Sequence, residues 1–386
     1  MDGTCGDWAL SVFQNGRKRK REDNKVVTNT QNKSTPRIND LPDELLVDII
    51  SRLKLKDAGR TSALSRRWRY LWTLVSGSLK FDAWDRDTYR GMDKRKEMGG
   101  WVNRVLELHK APRVDSFIVC TRGHWGFEDG DADRWTRFAL RKQVKVFELS
   151  LARQRRSCKY KFPSMEKLLL LEPKCSFVSL RSLKLVHVNV EDDMVHYLLA
   201  SCPDLETLWI KDSDCTKNLR VVAPKLKQLK LWCGQIQRVE ISAPSLVSFS
   251  YSGHNVETPY LLKRVANLTA LHLRGGASFP FIYQAKKHSS YSVQLTELNL
   301  GLLLTPITLP FQIAIPQDLP QLCSLEKLTV RSTTPAERSL LFFTLLIKAS
   351  PRLREFTITV NDLCLPPPFS PTHKHIYTHK VLASLK

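Results

Sequence analysis

Apolar positions along residues 38–75 recur at helical spacing. Leu45, Leu46, Ile49, Ile50 and Leu53 fall at i, i+1, i+4, i+5 and i+8. At ~100° per residue they fill an arc of about 140°, wider than the ~100° stripe of an ordinary surface helix. Pro42 suits the first helical position, and Asp43 and Glu44 place negative charge where the helix dipole favours it. Asp57 starts a second short helix that runs to Leu64, with Gly59 weakening it by ~1 kcal/mol relative to Ala. Ser65 caps a third, which sets Trp68, Leu71 and Trp72 on one face. Three short helices cannot cover this much apolar surface among themselves. The following domain or a partner must cover the rest.

From residue 100 onward the period changes. The unit L-x-x-L-x-L recurs, as in Val114/Phe117/Val119, Val144/Phe147/Leu149, Leu183/Leu185, Leu208/Ile210, Leu229/Leu231 and Phe249/Tyr251. It continues through Leu271/Leu273, Leu298/Leu300, Leu328/Val330 and Phe356/Ile358. From Leu183 the middle positions are spaced 20 to 30 residues apart, the range of leucine-rich repeats. Pro203, Pro224, Pro244 and Pro351 each stand two residues ahead of an aliphatic and mark the start of a strand. Helix patterns over Asp192–Ala200 and Ala336–Ala349 precede two of them. The expected fold is an α/β solenoid, a curved leucine-rich-repeat array preceded by a small helical domain. Stacked repeats bury one continuous core, and the alternate positions line a concave face. That face includes Lys184, Glu206, Trp209, Lys227, Lys230, Trp232, Ser248, His272, Asn299, Thr329 and Thr357. The Asn or Cys that closes the repeat consensus is mostly missing, which predicts irregular turns there.

Composition narrows the function classes. The 386 residues carry 60 Lys+Arg against 38 Asp+Glu, a net charge of +22, with 42% hydrophobic residues. No apolar run reaches the ~18 residues of a membrane span, and the first residues lack the basic-then-apolar form of a signal peptide. Nine scattered cysteines form no CxxC pair, which fits a reducing compartment, nucleus and/or cytoplasm. The basic run Arg17, Lys18, Arg19, Lys20 and Arg21 reads as a nuclear import signal within a flexible segment. Phosphate-loop, zincin and hydrolase-elbow motifs are absent, so no catalytic residue, cofactor or metal site is expected. His373, His375 and His379 lie in a Pro/His-rich tail and read as flexible chain.

Residues 38–81 closely resemble an F-box of the kind found in plant F-box proteins with leucine-rich repeats. Leu41-Pro42, Ile49 to Leu53, Thr61-Ser62-x-Leu64-Ser65 and Trp68…Leu71-Trp72 carry the likeness. It continues through Trp101 to Leu106 and Trp135-x-x-Phe138-Ala139 into the repeats. Many members add a C-terminal module where this sequence has its Pro/His-rich tail. The resemblance implies a non-catalytic substrate receptor of an SCF ubiquitin ligase. Its F-box would dock on a Skp-type adaptor and, through it, a cullin, while the repeats bind an unknown target protein. The implied docking residues are Leu41, Pro42, Leu45, Leu46, Ile49, Ile50, Leu53, Leu64, Ser65, Trp68 and Leu71. The domain plan is a basic segment 1–36, F-box 37–81, helical connection 82–110, repeats 111–360 and tail 361–386. The alternative from another class is a basic nuclear repeat protein that binds nucleic acid, a reading the +22 charge motivates. The scatter of that charge speaks against it.

Overall fold

The computed structural model describes residues 37–83, 97–121, 127–152, 159–171, 177–253, 260–302, 319–332 and 341–360. The predicted import signal and the His-rich tail lie outside them. The chain divides into two compact units, residues 1–158 with 168–179, and residues 159–167 with 180–386.

In the first unit, α1 (Asp43–Ser51) and α2 (Leu55–Arg60) lead into 3-10 turns at Thr61–Ala63 and Leu71–Leu74. Four expectations change here. Pro42 caps α1 from outside instead of occupying its first turn, and Leu53 lies beyond the helix end. Helix α2 starts at Leu55, so Asp57 sits inside its first turn and pairs with Arg60 at 3.0 Å. The third helix is instead a run of turns ending in the 3-10 segment. Trp68/Leu71 and Trp72/Val75 are spaced by three, and all four are buried. A 3-10 path, with three residues per turn, brings such pairs into line where an α-helix would splay them.

The unit continues with β1 (Ser78–Asp82), α3 (Glu97–Leu108), β2 (Ser116–Thr121), α4 (Asp129–Arg141) and β3 (Val146–Leu151). The strands are parallel in the order β1-β2-β3. Strand β1 is a second departure from the helical reading of 37–81. Its Leu79 and Phe81 alternate inward like any repeat strand, but the run is too short to stand out in the sequence. Gly77 just before it packs closely on α1, where a Cβ would lie 3.1 Å from the Ser51 carbonyl oxygen and force it to shift slightly.

The second unit carries β4 (Tyr160–Lys161), β5 (Ser182–Val186), β6 (Val188–Asn189), α5 (Asp192–Ser201), β7 (Thr207–Lys211), β8 (Asn218–Val222) and β9 (Gln228–Trp232). It goes on through β10 (Arg238–Ser242), β11 (Ser248–Gly253), β12 (Tyr260–Lys263), β13 (Ala270–Gly275), α6 (Ser278–Tyr283), β14 (Glu297–Leu302), β15 (Lys327–Ser332), α7 (Leu341–Lys348) and β16 (Glu355–Val360). Its main sheet is parallel in the order β5-β7-β9-β11-β13-β14-β15-β16. The register stacks Leu183, Leu208, Leu229, Phe249, Leu271, Leu298, Leu328 and Phe356 in one buried row. Every L-x-x-L-x-L copy is thus a strand, and the solenoid reading of this unit holds.

Two local devices differ from expectation. The prolines open a tight turn one step before each strand. In it Leu205 N–H bonds Cys202 O (3.1 Å), and Leu226, Leu246 and Leu353 do the same with Ala223, Ala243 and Ser350. Proline presets φ for the second turn position, which is why it recurs there. The turns after the strands are also more regular than predicted. His187 and Asp212 each follow a strand with φ near +56°, and each extends the ladder by one rung, to Lys211 O and Trp232 O at 2.9 and 2.8 Å. Buried hydroxyls replace the missing Asn, since Ser213 Oγ accepts from Val190 N–H and Thr216 Oγ donates to Val190 O. The repeats between Leu208 and Leu271 are too short for a helix. They return through β8, β10 and β12, a second parallel sheet that the leucine pattern did not reveal.

Among the described residues each unit buries one histidine. His109 Nε2 lies 2.8 Å from Val75 O. His288 Nε2 donates to Pro280 O at 3.1 Å, so its Nδ1 accepts the Tyr291 hydroxyl at 2.6 Å. Burial lowers both pKa values to about 4. The unfolded chain therefore binds these protons first, and stability complete above pH ~6.5 is lost as pH falls toward ~4. We expect unfolding free energies from urea titrations to fall across that window by up to roughly 3 kcal/mol per histidine. His288→Asn should flatten the slope of the second unit, and an unchanged slope would refute this origin.

Candidate functional site

The N-terminal helical segment is held shut by one arginine. Arg67 reaches Asp43 Oδ1 through Nε at 2.7 Å, while its two terminal nitrogens donate to Asn39 O and Leu41 O at 2.5 and 2.6 Å. Beside it, Trp68 Nε1 donates to Asn39 Oδ1 at 2.7 Å. Two neighbouring residues thus tie the Leu41-Pro42 start to the tryptophan end. Asn39 and Arg67 were not singled out from the sequence, because their partners lie 24 to 29 positions away. No local pattern marks them.

This clasp splits the wide apolar arc of α1 in two. Leu46 and Ile50 are fully buried, whereas Leu45, Ile49 and Leu53 are 51, 39 and 41% exposed and Leu64 is 64% exposed. Leu45 and Ile49 are four residues apart on α1 and share its outer side. Of the other docking candidates, Pro42 is exposed, and Leu41 and Ser65 are half-buried. Trp68 and Leu71 are buried. Leu46, Ile50, Trp68 and Leu71 are therefore core residues that present no surface, a correction to the docking set. The physical reason is that this small segment has to spend half its apolar arc on its own core. A cleft of about 530 Å³ lies beside Leu53, lined by Arg52, Lys54, Lys56, Ser78, Lys80 and Trp101 among others.

A second feature lies on the open face of the second unit's sheet. The register aligns Lys184, Trp209, Lys230, Ser250, His272 and Asn299 in one row, and Lys211, Trp232, Ser252, Arg274, Gly301 and Arg331 in the next. The two indoles meet edge-on with centroids 6.0 Å apart. Lys184 and Lys230 lie over Trp209 at 4.3 and 4.9 Å, and Lys211 and Arg274 over Trp232 at 5.4 and 4.7 Å. Ser250 accepts the Trp232 N–H at 3.0 Å. Gly301 leaves room for the Arg274 stem, since a Cβ there would sit 3.1 Å from its Cγ. Lys227 and Glu206, also expected on this face, precede their strands and pair at 2.9 Å. Arg274 was missed because it stands far along the chain from Trp232, with only small serines between them on β11.

Among the described residues no group of three His, Cys, Asp or Glu side chains is placed to hold a metal ion. No described helix is long and apolar enough to cross a membrane. Burial pushes the Cys202 and Cys233 thiols up to about 12, so they stay protonated and act as small apolar side chains.

Comparison with known proteins places both regions. The family model of the F-box domain matches residues 38–77. The model for the leucine-rich repeats of FBD-associated F-box protein At5g56370 matches residues 132–275. The F-box/LRR-repeat protein At3g26922 of Arabidopsis thaliana is 30% identical over 258 residues, 60% of this chain and 80% of the relative. F-box/LRR-repeat protein At3g03360 from the same plant is 28% identical over 266 residues, 61% of this chain and 51% of the relative. F-box/FBD/LRR-repeat protein At4g26340, also from Arabidopsis thaliana, is 30% identical over 261 residues, 61% and 58% respectively. Against such longer relatives the chain spans about half their length.

The split of the α1 arc has a measurable consequence. Leu46→Ala should cost about 2–5 kcal/mol of local stability, the cost of a core cavity. Leu45→Ala should stay within ~0.5 kcal/mol, as for an exposed site. Native-state hydrogen exchange of the α1 amides separates the two, and equal losses would contradict the division.

Proposed function

The chain belongs to the F-box/LRR-repeat family, and from that premise we propose that it is the substrate-recognition subunit of an SCF-type ubiquitin ligase. One observation carries the reading. A helix otherwise committed to a small core leaves Leu45 and Ile49 exposed on its outer side, with Leu53 exposed just past its end. Exposed apolar side chains grouped on one element mark an interaction surface. A Skp-type adaptor is the partner that an F-box presents this surface to, and a cullin follows through the adaptor. The repeats would hold the target.

In this role the protein performs no bond chemistry. It holds a target lysine near a charged ubiquitin-conjugating enzyme and so raises the effective concentration of the two reactants. The basic run Arg17–Arg21 supports a share of its working life in the nucleus.

Burying side chains the size of Ile49 and Leu53 is worth roughly 1.5–3 kcal/mol each. Ile49→Asp combined with Leu53→Asp should therefore weaken adaptor binding by about 100-fold or more, because two carboxylates would be desolvated without partners. Both positions are exposed, so circular dichroism should show the fold intact. Pull-down with a purified Skp-type adaptor reads the outcome. Undiminished binding by the folded variant would place the contact elsewhere, and no binding by the unaltered chain would end the receptor reading.

A further inference from the structure

The cations on the open face of the second unit are arranged in a way that the family role does not require. Each indole, Trp209 and Trp232, already carries two of them. A cation over an indole is steadied by the ring quadrupole without losing its charge. Among the described residues no carboxylate forms an ion pair with Lys230, Arg274 or Arg331. Lys211 differs, with Asp212 3.8 Å away. At the edge of the same face Lys327 is answered by Glu355 at 3.4 Å. Positive charge is thus left unneutralised in the middle of the face and balanced at its margin.

The surroundings make this costly unless something compensates. Arg274 is half-buried, and its charged form is disfavoured by burial first and by Arg331 second. His272, between them and Lys230, is held below the ordinary imidazole range by burial first, with Lys230 and Arg274 adding to the shift against Glu297. Protein surfaces that keep like charges together this closely gain when an opposite charge arrives.

We propose that this face captures an extended, carboxylate-rich segment of the target protein, anchored by Lys230, Arg274 and Arg331. The proposal rests on the receptor reading above and names the class of target segment. Strands in a sheet are ~4.8 Å apart, so the two-strand steps from β9 to β13 and from β13 to β15 are about 10 Å each. Three residues of chain extended as a polyproline-II helix, one full turn at ~3.1 Å per residue, cover about the same distance and return the side chain to the same side. Carboxylates at about every third position therefore meet the three cations. The same geometry disfavours single-stranded nucleic acid, which binds by stacking bases on open aromatic faces. Here those faces are occupied.

The test uses the full-length chain and a fluorescein-labelled peptide of about ten residues repeating Glu-Ser-Gly, followed by anisotropy at low salt. A Gln-Ser-Gly counterpart and a thymidine oligonucleotide of similar length serve as the other arms. The glutamate peptide should bind, weaken as salt rises, and lose at least about tenfold in affinity in Lys230→Gln with Arg274→Gln. Lys327→Gln, at the balanced margin, should leave its affinity unchanged. Equal binding of the glutamine peptide, or undiminished binding by the double variant, would overturn the proposal. Tighter binding of the oligonucleotide, lost in the double variant, would also overturn it and give the face to nucleic acid. Circular dichroism and adaptor pull-down on the same preparations should match the unaltered chain. If the adaptor binds and the glutamate peptide does not, the target class alone is wrong. If the peptide binds and the adaptor does not, the receptor reading is what fails and the anion-binding face stands.

Discussion

The stacking of aligned aliphatic rows is the constraint on which the rest of this structure depends. One L-x-x-L-x-L strand cannot bury its own leucines. Each gains its core only from the strand before and the strand after. The shared register that places Leu208 between Leu183 and Leu229 also fixes what stands between the rows. Trp209, Lys230, His272 and Arg274 occupy their places on the open face because the leucines beside them had to align. The chemistry of that face is a by-product of burial behind it.

The same tension between core and surface operates on a smaller scale in the N-terminal segment. A domain of about 45 residues is close to the lower limit of independent stability. Part of α1's apolar arc is spent on its own core, and Arg67 and Trp68 close the segment with bonds to Asn39, Leu41 and Asp43. What remains, Leu45, Ile49 and Leu53, is surface that the segment cannot cover itself. The proposed receptor role, which works by proximity, calls for such a division between a surface for the ligase and a surface for the target.

How much of this was legible in the sequence follows from the range of each interaction. The repeat strands were readable because a period of 20 to 30 residues written in leucine survives variation at every other position. Helix α1 was readable for the same reason at a period of 3.6. Strand β1 was not, since Leu79 and Phe81 offer only one alternation. The second sheet was missed because short repeats replace helix by strand without changing the leucine count. Which of Leu45 and Leu46 faces the core depends on where the tryptophan end folds back, a contact across some 25 residues. Cation pairing with the indoles spans up to 42 positions, from Trp232 to Arg274, and depends on small side chains at Ser250, Ser252 and Gly301. Adjacency across strands settles such features, and a linear reading does not display it.

The proposed division of two roles between two surfaces is tested most directly by hydroxyl-radical footprinting of the full-length chain with and without a purified Skp-type adaptor. Adding adaptor should protect Leu45, Ile49 and Leu53, with Trp209 and Trp232 labelled as before. Protection of the two tryptophans with α1 still labelled would contradict it.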